Sequence, residues 1–139
     1  MDKYIDELIA LADKAEQLKE IPVGAIVIKD GKIIGRGFNN RITTTDPTGH
    51  AEINAIKEAC NHLGDWRLNG CDLYITLEPC DMCLKVAQES RIDNVYYLLK
   101  NRDKHTYKQT NVCVLDCDKN IVDNYHKKLS DFFNKNLNR

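Results

Sequence analysis

Hydrophobic positions recur along this chain in two rhythms, and glycines and prolines mark most of the changes between them. Over residues 3–19, Ile5, Leu8, Ile9, Ala12, Ala15 and Leu18 fall three and four apart, the period of a helix with one buried face. Pro22 is read as its stop. Val23-Gly24-Ala25-Ile26-Val27-Ile28 follows as a near-continuous apolar run, which suits a strand covered on both faces. Asp30-Gly31 supplies the residues of a tight hairpin turn, leading to a second strand from Lys32 to Phe38. Residues 39–49 are polar, contain Thr43-Thr44-Thr45-Asp46-Pro47, and read as a loop.

Helical spacing returns with Ile53, Ala55, Ile56, Ala59 and Cys60, so a helix is predicted from Ala51 to about Cys60, with Thr48 as a candidate cap. A loop around Trp66 precedes a strand from Cys71 to Leu77, rich in β-branched and aromatic residues. Pro79 suits the first turn of another helix, whose core face is marked by Met82, Val86, Ala87 and Ile92. Val95–Leu99 reads as a strand, residues 100–111 as a basic polar stretch, and Val112–Leu115 as a short strand. A closing helix runs from Ile121 to about Asn134 through Val122, Tyr125, Leu129, Phe132 and Phe133. Helix, hairpin, then alternating helices and strands predict an α/β protein, a three-layer α/β/α sandwich around a mixed sheet of about five strands. The 139 residues fit a single domain spanning 1–139.

Charge adds an asymmetry that the net value of −1 conceals. Residues 1–97 carry 11 Lys and Arg against 16 Asp and Glu, whereas residues 98–139 carry 9 against 5. On charge alone this reads first as a solvated Lys-rich helix, and second as a surface for a polyanion such as RNA. Apolar runs are too short to span a bilayer, and Met1-Asp2-Lys3-Tyr4 lacks the pattern of an export signal, so a cytoplasmic location is expected. In that compartment six cysteines are expected to be reduced.

The chemistry concentrates in two short stretches, His50-Ala51-Glu52 and Pro79-Cys80-Asp81-Met82-Cys83. One His and a C-x-x-C pair offer three ligands for tetrahedral zinc, which in a catalytic site leaves the fourth position to water. Cys80 and Cys83, three apart at a helix start, share a face, and the helix dipole favours their thiolates. Zinc lowers the pKa of water toward about 7. Glu52 can then take the water proton, pass it to a ring nitrogen and later protonate a departing amine. H-x-E followed by P-C-x-x-C is the signature of zinc-dependent base deaminases. A purely structural zinc would want a fourth protein ligand, for which Cys60, Cys71, His62, Cys113 and Cys117 compete. Cys71 and Cys113 read as core residues, His62, His105 and His126 as surface histidines, and Cys113 with Cys117 as a minor candidate for a second metal.

The chain resembles the cytidine and deoxycytidylate deaminase superfamily, and most closely its bacterial tRNA-specific adenosine deaminases. The resemblance covers residues 20–97 and rests on Ile21-Pro22-Val23-Gly24-Ala25, Gly37-Phe38-Asn39, Asp46-Pro47-Thr48-Gly49-His50-Ala51-Glu52, Trp66-Arg67-Leu68, Leu73 through Cys80, and Ser90-Arg91-Ile92. It resumes at Leu129-Ser130-Asp131-Phe132-Phe133. It implies the cytidine deaminase-like fold, one Zn2+ per chain held by His50, Cys80 and Cys83, and Glu52 as the catalytic proton shuttle. Asn39 would hydrogen-bond the target base, its alternative being a loop-capping amide, and Gly49, Ala51 and Asn101 complete the implied substrate-binding set. The implied reaction is conversion of adenosine to inosine in a tRNA anticodon loop.

The chain departs from that family after Tyr97, where Leu98-Leu99-Lys100-Asn101-Arg102-Asp103-Lys104 replaces a Gly-Ala-x-Asp pattern, and Gly49 replaces an alanine. Lys100, Arg102, Lys104 and Lys108 remain as candidate phosphate contacts, and Phe38, Tyr107 and Phe132 as candidate base-stacking partners. Two other readings stand beside the first. One is a free-base deaminase acting on guanine or cytosine; the other is an inactive, zinc-stabilised binding module, against which Glu52 argues. A homodimer burying the segment Val86 to Ile92 is expected from the resemblance.

Overall fold

The computed structural model describes residues 2–101 and 111–135. Its elements are α1 (Asp2–Gln17), β1 (Gly24–Lys29), β2 (Lys32–Phe38), α2 (Ala51–Leu63), β3 (Cys71–Leu77), α3 (Asp81–Glu89), β4 (Asn94–Leu99), β5 (Val112–Val114) and α4 (Lys119–Lys135). The five strands form one sheet in the order β2-β1-β3-β4-β5. β1 is antiparallel to both β2 and β3, while β3, β4 and β5 run parallel, so the sheet is mixed.

Alternation along the strands decides the layers. Ala25, Val27, Leu73 and Ile75 join α2 and α3 in one buried cluster. Ile26, Ile28 and Leu98 join α1 and Tyr125 of α4 in the other. The near-continuous apolar run of β1 is therefore buried on both faces, as a strand between two helical layers must be. In the hairpin, Asp30 and Gly31 both take positive φ, 52° and 76°, matching the twist of the strands they join.

Two glycines set the distance between β2 and α2. A Cβ on Gly37 would lie 2.2 Å from the Ala51 carbonyl oxygen, and one on Gly35 would lie 2.2 Å from that of Ala55. The strand thus packs directly on successive turns of the helix backbone, close to the end that carries His50.

Several boundaries differ from expectation. α1 ends well before Pro22, because Lys19 enters the left-handed region at φ 61° and Glu20 N–H turns back to the Ala15 carbonyl at 3.0 Å. α2 runs on to Leu63, where left-handed Gly64 caps it. Thr48 is not the cap at its start; His50 holds that position, and the Thr48 hydroxyl goes to Asp46 Oδ1 at 2.7 Å. Met82 is exposed rather than core-facing, and Ile92 is buried beyond the end of α3. Cys113, read as a core residue, is exposed on the edge strand β5. In the segment Val86 to Ile92, Ala87 and Ile92 are buried within their own chain and Val86 is half-buried.

Candidate active site

The two deaminase-like stretches meet at two helix starts. His50 is the N-cap of α2 and Cys80 the N-cap of α3, both with extended backbones (φ −93°, ψ 146° and φ −72°, ψ 170°). In that position the residue's carbonyl opens the helix while its side chain is usually spent on capping. Here the carbonyls of His50 and Cys80 accept from Asn54 and Leu84 N–H, each at 3.0 Å, and neither side chain caps its helix. Both side chains are thereby left to a common centre, joined by Cys83 from the first turn of α3.

The donor atoms of His50, Cys80 and Cys83 all lie within 4.8 Å of one another. His50 Nδ1 is 3.4 Å from Cys83 Sγ and 3.9 Å from Cys80 Sγ. Tetrahedral zinc bonded to sulfur and nitrogen would separate them by about 3.6 Å, so the set fits zinc in both chemistry and spacing. No fourth His, Cys, Asp or Glu joins the group among the described residues, and no second group of three donors forms there. Cys60, Cys71, His62, Cys113 and Cys117 therefore do not complete a closed structural site.

The donors compete for protons. Hydrogen bonds from Cys83 and His50 hold the Cys80 thiol down at about 3, while its bond to Cys80, followed by burial, pushes the Cys83 thiol up. The bond to Cys80 raises the His50 imidazole as well. A thiolate, an imidazole and a second thiol sharing protons across such distances make a cation site by their own chemistry. Glu52, in the first turn of α2, is 4% exposed, and burial pushes its carboxyl up to about 7, opposed by a backbone hydrogen bond and the nearby His50.

These groups open into a cavity of about 600 Å³ whose inner end is lined by Asn39, His50, Glu52 and Cys80. Glu78, Leu99, Lys100 and Asn101 line one side, at the carboxyl ends of the parallel strands β3 and β4, where ligands of open α/β sheets usually bind. α4 supplies the facing side in two rows, polar His126, Ser130 and Asn134 beside apolar Leu129 and Phe133.

The expected substrate contacts are distributed unequally. Asn39 lines the cavity, and its Oδ1 accepts the Ala51 N–H at 2.8 Å, so the amide oxygen caps α2. Asn101 lines the cavity too, and its backbone N–H is held by Glu78 Oε1 at 3.1 Å. Gly49 and Ala51 sit behind the wall: Ala51 is fully buried, and Gly49 packs so closely that a Cβ would lie 2.6 Å from Asn40 Oδ1. Phe132 is buried and Phe38 packs into the second core cluster, leaving neither as a cavity aromatic. That place goes to Phe133, 47% exposed and edge-to-face with Phe132. His126 is exposed as expected, yet it lies on the cavity rim. Arg102, Lys104, His105, Tyr107 and Lys108 lie outside the described residues.

Known proteins align with this architecture. The family described as "Cytidine and deoxycytidylate deaminase zinc-binding region" matches residues 1–99. The tRNA-specific adenosine deaminase of Bacillus subtilis (strain 168) is 46% identical over 94 residues, covering 68% of this chain and 58% of that protein. The enzyme of the same name from Aquifex aeolicus is 49% identical over 86 residues, covering 62% of this chain and 57% of that one. The chain thus spans less than two thirds of the length of these curated relatives. Among solved structures, one from a study of A-to-I editing by tRNA:A34 deaminases superposes with a TM-score of 0.74 at 31% identity, over 82% of this chain and 98% of that one. Guanine deaminase from Bacillus subtilis superposes with a TM-score of 0.67 at 29% identity, over 93% of both chains. No described helix is long and apolar enough to cross a membrane. With these matches covering the metal-ligand stretches, the chain belongs to the cytidine and deoxycytidylate deaminase zinc-binding family.

Proposed function

We propose that this chain is a hydrolytic deaminase that converts adenosine to inosine at the wobble position of a tRNA anticodon loop and releases ammonia. One observation carries the reading: a nearly fully buried carboxyl, Glu52, stands beside a three-donor metal set at the inner end of a cavity. A structural metal has no use for such a neighbour, which is what disfavours an inactive binding module. Sequence identity to the two tRNA-specific adenosine deaminases favours adenosine in tRNA as the substrate.

Zinc would be held by His50, Cys80 and Cys83 and would supply the lowered water pKa that hydrolysis at neutral pH requires. Glu52 takes one proton from the attacking water as the C–O bond forms and delivers it to the purine ring nitrogen beside the amino-bearing carbon; it then takes the second proton from the hydroxyl now on that carbon and passes it to the amine, so that the C–N bond breaks and ammonia leaves. Its burial keeps proton gain and loss close to neutrality and keeps bulk water from competing. Asn39, whose oxygen is committed to Ala51, offers only N–H donors and so selects an acceptor on the base. Phe133 at the mouth gives a stacking face for an unstacked base, and Lys100 gives a charge for a phosphate. We assign the activity to a single domain in the cytoplasm, acting as a homodimer. Sedimentation at micromolar concentration tests the dimer.

A second reading is favoured by one specific observation. The structural superposition on guanine deaminase covers 93% of this chain against 82% for the tRNA:A34 deaminase structure, although the latter has the higher TM-score, 0.74 against 0.67. Ammonia release from an anticodon stem-loop with adenosine at the wobble position, measured beside free guanine, cytosine and adenosine, decides between them. Inosine in the RNA supports the first reading. Turnover of guanine with no inosine in the RNA replaces it with the second.

A further inference from the structure

We propose that the buried carboxylate of Glu20 is a positioning residue for the metal site: it pins the middle of the loop that delivers His50, and so sets how tightly the three donors hold zinc. The proposal rests on the zinc reading above.

Glu20 lies just past α1 and is not among the residues that line the cavity. The chain spends an unfavourable conformation to bury it: Lys19 is left-handed at φ 61°, and Glu20 is 2% exposed. Oε1 accepts the Ile42 N–H at 3.2 Å, and Oε2 accepts both the Thr43 N–H and the Thr43 hydroxyl at 2.6 Å. Both carboxyl oxygens of Glu20 accept here, and these three donors converge on them.

The loop between Asn39 and His50 needs such an anchor. Its residues 41–45 are all exposed, so little apolar burial holds them. Thr45 is β-branched yet left-handed, at φ 53°, a conformation that persists only where surrounding contacts impose it. The ends of the loop are tied by Asn39 to Ala51 and by Asn40 N–H to the Gly49 carbonyl at 2.9 Å. Inside it, Asp46 N–H reaches the Arg41 carbonyl at 3.0 Å, and Gly49 N–H reaches that of Asp46 at 3.0 Å. Glu20 fastens the middle of this chain of bonds to the end of α1. Without it two backbone N–H groups and a hydroxyl must find water, and the strain at Thr45 is free to relax toward His50.

The test is zinc affinity, measured by competition with a chromogenic chelator on protein shown to be folded by circular dichroism. Glu20→Ala should weaken zinc binding by about tenfold or more, the scale on which groups supporting metal ligands act. Glu20→Gln should weaken it nearly as much, because its NH₂ faces donors. Thr43→Val, at an exposed loop position where folding is secure, should cost about threefold, in line with the loss of one hydrogen bond. Ile28→Val, at the far end of β1, should lower stability and leave zinc affinity alone. Folded Glu20→Gln and Thr43→Val within about twofold of the parent would overturn the proposal, as would an equal loss in Ile28→Val. If the Glu20 variants do not fold, Thr43→Val decides alone. A parent that takes up no zinc sinks the zinc reading and this proposal together, whereas zinc held equally by parent and variants sinks this proposal only.

Discussion

Replacing Gly37 by alanine tests how the fold sets the site. The added Cβ would lie 2.2 Å from the Ala51 carbonyl oxygen, 2.5 Å from the Ala55 nitrogen and 3.0 Å from the Asn54 Cβ. Comfortable contacts of this kind begin near about 3.5 Å, so β2 and α2 must part by about 1 Å. The first two obstacles are backbone, which no rotamer change can remove. Overpacking of this sort costs about 1–3 kcal/mol. The displaced turn also carries His50 and Glu52, while Cys80 and Cys83 ride on α3, so the donor set is pulled apart. A misplacement of about 1 Å can cost about 100-fold in rate. Gly35→Ala is the control, since its Cβ would meet the Ala55 oxygen at the same 2.2 Å, one turn farther from the ligands. Urea midpoints, zinc content and turnover are to be measured on both. The expected outcome is similar stability loss in the two variants, with the greater loss of zinc and turnover in Gly37→Ala. Equal turnover in the two variants at matched stability, or a Gly37→Ala midpoint equal to the parent's, refutes the reasoning.

Further outcomes follow from the same geometry. Glu52→Gln should retain zinc and lose turnover by about 100-fold or more; retained turnover in a zinc-loaded variant removes the proton-shuttle role. In metal-stripped protein the same substitution has a pH signature. A carboxyl raised from 4.5 to about 7 in the fold contributes stability that is complete at low pH and lost as pH rises through that window. Glu52→Gln should therefore gain up to about 3 kcal/mol over the parent above pH about 8 and little at pH about 4, and parallel stability curves count against the burial argument. Cys83→Ala should lose zinc and stability together, and a chelator should lower the parent's melting temperature; indifference to both would mean the metal does not support the fold. Tyr125→Phe breaks a buried relay in which the Thr76 hydroxyl donates to Tyr125 at 2.9 Å and Tyr125 donates to the Pro22 carbonyl at 2.7 Å. It should cost about 1–3 kcal/mol in chemical denaturation, and an unchanged midpoint would show that the relay holds nothing.

The parts legible from the chain alone are those governed by short spacings. Period and turn chemistry located every helix and strand among the described residues, because burial of one face repeats every two or every three to four residues. Cys80 and Cys83 were readable as a pair from their spacing of three at a helix start, although the structure places Cys80 at the N-cap, one residue before α3, and only Cys83 within it. His50 and Glu52 joined them through a motif.

What the tertiary structure alone decided depends on residues far apart in the chain. Leu129, Phe132 and Phe133 read as core by periodicity, yet Phe133 is exposed and lines the cavity together with Ser130 and His126. Asn39 had two readings, and only the approach of Ala51, twelve residues on, shows that its oxygen caps a helix while the residue also lines the cavity. Glu20 gave no periodic signal, since a carboxylate between a helix and a strand ordinarily faces water; its role exists because Ile42 and Thr43 are brought to it. Local pattern records which side of its own element a residue occupies, whereas the partner across the gap is chosen by how the layers pack.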